Sequence, residues 1–390
     1  MPMKALITPD VLRWARETAR MSTESIAAKM RVKEERIKAW EMGKDAPTMR
    51  QLEKLSTYYR RPIAVFFLPT PPSDFETLRD FRKKNQNDAY STALTFHIRD
   101  IQAKQAWLSE LLRKEGDQPL EFIGKFNINT HPKTIAKDIK HTLDIAPRLS
   151  KGTDARKYWI EKAEQKQIFV SLAASLHSHL KIDVEEVKGF AITDKYAPFI
   201  FVNSADSKNA QLFTLVHELA HLWIDASGVS AFDLIDFRNK EAIKKYDPVE
   251  ILCNRTAAEA LMPEALIKTA WTNQKSTLQF IKEIAQEFHV STLAMLIRAL
   301  NLKLITDTLF QKYRNQLALE YQNYLKSTKH KKAGGGNYYR SVIRRNSKAF
   351  TSHAYAYYKS GKINGIELFN LLGIKTSKFN KLEEYLYGNT

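Results

Sequence analysis

The sequence predicts a mainly α-helical chain with one small β-sheet, an α+β protein of several domains. Three observations carry this. Apolar residues recur at i, i+3 and i+4 through most of the 390 residues. Short β-branched and aromatic runs cluster between residues 167 and 202. One apolar stretch, residues 213–223, contains His217-Glu218-Leu219-Ala220-His221, two histidines that share a helix face.

Composition narrows the class. Hydrophobic residues make up 44 % and charged residues 27 %, as in an ordinary globular chain. There is one cysteine, Cys253, so no intramolecular disulfide forms, which fits a reducing cytoplasm. Residues 1–10 hold no apolar run after their single Lys, so no signal peptide is expected. No stretch approaches 18 apolar residues, and no membrane span or membrane partner is expected. Lys and Arg number 61 against 43 Asp and Glu, a net charge of +18, which favours nucleic acid or an acidic partner.

The first 62 residues read as short helices. Pro9 opens the first, and Val11, Leu12, Ala15 and Ala19 form its apolar face. Ser22 is an N-cap for the second, which turns Ile26, Ala27 and Met30 inward. Arg31-Val32 makes a turn. The third runs from about Lys33 to Trp40 and ends at Gly43. Another starts at Pro47-Thr48 and buries Leu52 and Leu55. The spacing I-A-x-x-M-x-V-x-x-x-x-I-x-x-W-E-x-G-x-x-x-P resembles helix-turn-helix modules of the Xre/Cro repressor type. The resemblance implies operator DNA as a partner, pairing as a homodimer, and a third helix that reads the major groove with Lys33, Glu34, Arg36 and Lys38. Residues 1–62 carry 14 Lys/Arg against 8 Asp/Glu, a net +6 that suits phosphate contacts. Two early acidic residues, Glu34 and Glu35, keep a module used only for protein contacts in view.

Residues 63–130 read as a strap and a helical linker. Pro69, Pro71 and Pro72 preclude regular helix, and Phe66, Phe67 and Leu68 are expected to pack on a neighbouring domain. An amphipathic helix follows over about 95–114, then others over 134–143 and 154–166. Strands are expected at 167–170, 187–192 and 198–202. The strand over 198–203 is the candidate edge for an extended substrate, with Phe199, Phe201 and Asn203 as contacts. An interior position for it remains the alternative. His177 and His179 read as solvated loop residues.

The chemistry sits in residues 131–270. On a helix His217 and His221 can bind one ion, and Glu218 can reach water on it. Asp247-Pro248 reads as N-cap and first residue of a second helix that ends before Pro263. Glu250 lies in its first turn. Two histidines and a carboxylate leave a fourth metal position open, as catalytic zinc requires. The stretches F-T-L-V-H-E-L-A-H-L and E-x-x-C-N-x-x-A-A-E-x-L-M-P, with Gly189-Phe190-Ala191 and residues 197–203, resemble the ImmA/IrrE family of zinc metallopeptidases. The resemblance implies one zinc ion per chain held by His217, His221 and Glu250, Glu218 as general base, and a thermolysin-like fold. It also implies a protein substrate such as a repressor or antitoxin. The competing class is a transcriptional regulator or antitoxin whose peptidase fold is a sensor or scaffold without turnover.

Beyond residue 270 the chain is read as helical. Residues 283–291 and 367–375 repeat the apolar spacing of residues 25–33, so 271–325 is helix-turn-helix-like. Residues 326–337 form a basic, glycine-rich linker. Residues 338–390 form a basic helical domain, and 311–390 hold 15 Lys/Arg against 4 Asp/Glu, a net +11. Tyrosines among these cations suit contact with nucleic acid or an acidic peptide. A solvated face is the alternative.

Overall fold

The computed structural model describes residues 3–72, 78–80, 90–150, 152–176, 180–230, 238, 244, 246–272, 274–328 and 337–388. His177 and His179, and most of the basic linker, lie outside the described residues. The chain divides into two compact units. The first comprises residues 1–77, 87–103 and 175–182; the second comprises 78–86, 104–174 and 183–390.

The first unit is built on helices α1 (Pro9–Thr18), α2 (Thr23–Met30), α3 (Glu34–Glu41) and α4 (Met49–Tyr59). Ser22 caps α2 by accepting from Ser25 N, and Thr48 with Gln51 forms a capping box on α4. Arg31 takes a left-handed conformation, φ 55°, which closes α2 and starts the turn into α3. Ile26, Ile37, Trp40, Leu52 and Leu55 are fully buried in one core. That core also buries an ion pair: Arg16 Nε lies 2.7 Å and Nη2 2.9 Å from the two oxygens of Glu41. This bidentate pair ties α1 to the end of α3. The strap differs from expectation. Residues Ile63–Phe67 form a 3-10 turn ahead of the prolines, and only Phe66 is buried, beside Tyr59 in the helix-turn-helix core itself. Phe67 and Leu68 remain exposed.

The second unit holds the sheet. Its strands are β1 (Arg79–Asp80), β2 (Phe169–Ala173), β3 (Gly189–Ile192), β4 (Phe199–Asn203) and β5 (Gly228–Ser230), in the order β1-β5-β3-β4-β2. β4 runs parallel to β2 and antiparallel to β3. It is therefore interior, and the edge-strand assignment of Phe199, Phe201 and Asn203 fails. Both sides of its backbone ladder are already paired, so no substrate strand can add there. Helix α5 is Thr92–Glu115, followed by α6 (Pro132–Thr142) and α7 (Ala155–Glu164). Helix α8 (Lys208–Trp223) lies against β3 and β4, with α6, α7 and α9 (Pro248–Leu261) packed on its other sides.

The rest of the unit is helical: α10 (Glu264–Trp271), α11 (Leu278–Glu287), α12 (Thr292–Asn301), α13 (Asp307–Thr328), α14 (Tyr338–Asn346), α15 (Lys348–Lys359), α16 (Gly365–Leu372) and α17 (Phe379–Tyr387). His289 (φ 55°) and Gly373 (φ 64°) occupy the positions that Arg31 holds in the first repeat, and all three are left-handed. The tyrosines of the last domain are used internally. Tyr339 stacks on Tyr385 at 5.2 Å, and the ammonium groups of Lys378 and Lys381 lie 4.0 and 5.8 Å from the rings of Tyr338 and Tyr339.

One carboxylate joins the last domain to α7. Glu164 accepts from Ser347 Oγ (2.6 Å) and Lys348 N (3.0 Å), capping the start of α15. Burial raises this carboxyl to about 7 despite those bonds. Its folded value lies above its unfolded value of 4.5, so its contribution is complete below about pH 4.5 and is lost as pH rises through 7. Glu164→Gln is expected to flatten the fall in stability across that window, read by urea unfolding at a series of pH values. Parallel profiles for the two proteins would refute it.

Candidate metal centre

Helix α8 starts where Ser207 Oγ accepts from Ala210 N. Every residue from Gln211 to Trp223 is buried, because the helix has the sheet on one side and helices on the others. Such a helix tolerates polar side chains only where they find partners. His217, Glu218 and His221 are all fully buried. Their partner comes from α9, whose start is fixed by Asp247 accepting from Val249 N and by Pro248 in its first turn. Glu250 follows in that turn, and Asn254 Nδ2 donates to its carbonyl one turn later.

His217 Nε2 lies 3.3 Å from Glu250 Oε2, and His221 Nε2 lies 3.0 Å from Glu250 Oε1. The two imidazole Nε2 atoms are 3.1 Å apart. Donors at about 2.0–2.1 Å from a tetrahedral ion sit about 3.3–3.4 Å from one another, so these separations match three corners of one coordination shell. His221 Nδ1 faces Ala226 O at 3.0 Å and donates to it, which leaves Nε2 as a lone-pair donor. Burial pushes His217 down, towards the neutral imidazole. Burial alone would push Glu250 up; its interactions with His217, then with His221, outweigh it and hold the carboxyl at about 2. Neutral imidazoles and an ionised carboxylate are the forms a divalent metal binds. The residues fit such an ion, and this trio is the cluster of that kind found among the described residues.

Glu218 stands beside this group, and the room it occupies is made by Gly189 on β3. A Cβ at Gly189 would lie 2.9 Å from Glu218 Oε1, 2.6 Å from Thr214 Cγ2 and 2.9 Å from Phe201 O. The sequence marks Gly189 only as a glycine inside a strand, a signal of close backbone approach that can be read there but not assigned. The three residues expected at a substrate edge are core instead. Phe199 stacks on Phe169 at 5.1 Å, Phe201 packs against Phe190 at 4.9 Å, and Asn203 bonds Val187 O and Ala205 N.

On α3, Lys33, Arg36 and Lys38 are exposed. Glu34 is half-buried, and its carboxylate accepts from Thr23 Oγ1 at 2.5 Å and lies 3.0 Å from Lys38 Nζ. It therefore also holds α2 to α3. Arg36 lies with its guanidinium 5.5 Å from the ring of Trp40.

Two family models match parts of the chain. Residues 177–300 match the IrrE N-terminal-like domain of the M78 peptidases, and residues 12–66 match the helix-turn-helix profile. No curated protein matches the chain. Among the described residues no helix is long and apolar enough to cross a membrane. Over residues 177–300, the segment that carries the buried His217–His221–Glu250 group, the chain is thus similar to the IrrE N-terminal-like domain of M78 peptidases, and residues 12–66 form an Xre-type helix-turn-helix.

Proposed function

We propose that the protein is a zinc-dependent endopeptidase coupled to DNA binding, and that it cleaves a regulatory protein such as a repressor or antitoxin. The observation that carries this reading is the convergence of His217, His221 and Glu250 within 3.0–3.3 Å, with Glu218 on the helix of the two histidines. His217, His221 and Glu250 hold the ion. When bound, zinc supplies Lewis acidity towards a water molecule and a peptide carbonyl. Glu218 takes the proton from the attacking water and passes it to the departing amine. Ala226 O keeps His221 in the tautomer that ligation needs.

The helix-turn-helix directs the enzyme to an operator, with Lys33, Arg36 and Lys38 as its exposed cations, and a homodimer supplies the two half-site readers. A DNA-binding protein whose one thiol is free belongs in the cytoplasm. A second reading, a regulator whose peptidase fold serves as sensor or scaffold, has one observation in its favour: His217, Glu218 and His221 have no exposed surface.

The decisive experiment combines metal analysis with cleavage of candidate partner proteins. Stoichiometric zinc, cleavage abolished by a chelator and restored by zinc, is the expected result. Stoichiometric zinc with no zinc-dependent cleavage of any partner favours the regulator reading. Binding to its own promoter at low salt is tested separately; no affinity there removes the operator role.

A further inference from the structure

The second unit has a cavity away from the metal group. It has a volume of about 540 Å³ and opens between the end of α6, the start of α7, the ends of α8 and α9, and α10–α11; none of His217, Glu218, His221 or Glu250 lines it. Protein interiors are close-packed, and a void of this size along packed helices forfeits contacts unless something fills it. Its volume falls in the range of small-molecule sites, about 300–1,000 Å³.

The walls are apolar, formed by Trp159, Leu212, Phe280 and Ile284 among others. Five polar side chains break that surface: Thr269, the paired Arg148 and Glu287, and Lys140 and His289, neither of which has an ion pair among the described residues. Lys140, in the last turn of α6, is half-buried and has no carboxylate within ion-pair distance among the described residues. The nearest acid that acts on it, Glu259, is already held by Arg298 and by the backbone of Glu264. His289 lies at the left-handed turn between α11 and α12. Its Nε2 is buried and makes no hydrogen bond among the described residues. The other acid on the rim, Glu287, is paired with Arg148. The cavity therefore offers an apolar interior and, at Lys140, a cation with no carboxylate at ion-pair distance among the described residues. Burying such a group without a partner costs free energy that a bound anion would recover.

We propose that this cavity binds a compact amphiphile with an apolar body and a single carboxylate, of the size of a medium-chain fatty acid, with Lys140 at its head group. Burial also lowers the Lys140 pKa, in keeping with an ammonium placed against apolar walls and awaiting a counter-charge. Leu212 lies on α8 and Ala260 on α9, the helices that carry His217 and Glu250, so the site stands at the far ends of the metal-bearing elements without sharing their residues.

The test is calorimetric titration of the full chain with decanoate, decanol and decyltrimethylammonium. Decanoate is expected to bind saturably with one site per chain, and more tightly than the alcohol or the cation. Lys140→Met, which keeps the stem and removes the charge, should weaken decanoate at least tenfold and leave decanol unchanged. Ala270→Phe, which fills the cavity, should abolish binding of decanoate while the thermal transition persists. Absence of saturable decanoate heat, equal affinity for the three head groups, or decanoate binding indifferent to both substitutions would overturn the proposal. The measurement needs neither metal nor turnover. A protein that binds decanoate but never cleaves leaves this site standing, and one that cleaves but ignores decanoate leaves the peptidase reading standing.

Discussion

Glu218→Gln is expected to slow peptide cleavage by about two to four orders of magnitude while zinc stays at one ion per chain. The reasoning is local. Glu218 is not part of the converging trio, whose donor atoms come from His217, His221 and Glu250 alone. Glutamine keeps the shape of the side chain in a fully buried position, so the packing of α8 on β3 survives. It cannot accept a proton at neutral pH. The metal content and the thermal transition of the variant should match wild type, and only turnover should fall. Loss of zinc together with activity would instead place Glu218 among the groups that hold the ion, and unchanged turnover would remove it as the base.

The second large effect concerns the strand beneath it. Gly189→Ala adds one methyl where a Cβ meets Thr214, Glu218 and the carbonyl of Phe201 at 2.6–2.9 Å. One of these contacts is backbone within a central pair of the sheet, so relief must come from α8 moving away from β3. Overpacking of this kind costs about 1–3 kcal/mol. Displacing a reacting group by about 1 Å costs on the order of a hundredfold in rate. Both losses should appear together: a lower urea midpoint and a drop in turnover larger than the drop in zinc content. An alanine variant with wild-type stability and turnover would show that the carboxylate does not need this space.

Much of this was legible in the residues. The i, i+4 histidines define a face without any tertiary knowledge, and Asp247-Pro248 marks the start of the helix that brings Glu250 to them. The helix-turn-helix was legible for the same reason, since Ser22, Gly43 and Thr48 punctuate it locally. What escaped was non-local. Phe199-Ile-Phe-Val202 is apolar at every position, the pattern of a strand covered on both faces, yet only the order of strands in the sheet shows it has neighbours on both edges. The cap that Glu164 places on Ser347 spans 183 residues, and no sequence periodicity predicts it. The bond from Thr23 to Glu34 also escaped, because a surface helix position looks the same whether or not its carboxylate has a neighbour on the next helix.

Cys253 lies one turn from Glu250 inside α9. It is fully buried, and burial together with the negative charge of Glu250 and Glu218 pushes the thiol well up. A protonated sulfur is a poor nucleophile, and Cys253 is not among the converging donors His217, His221 and Glu250. An alkylating reagent reaches this atom only when α9 detaches from its neighbours. The labelling rate of a single native sulfur therefore clocks how often the carboxylate-bearing helix lets go, with no probe introduced.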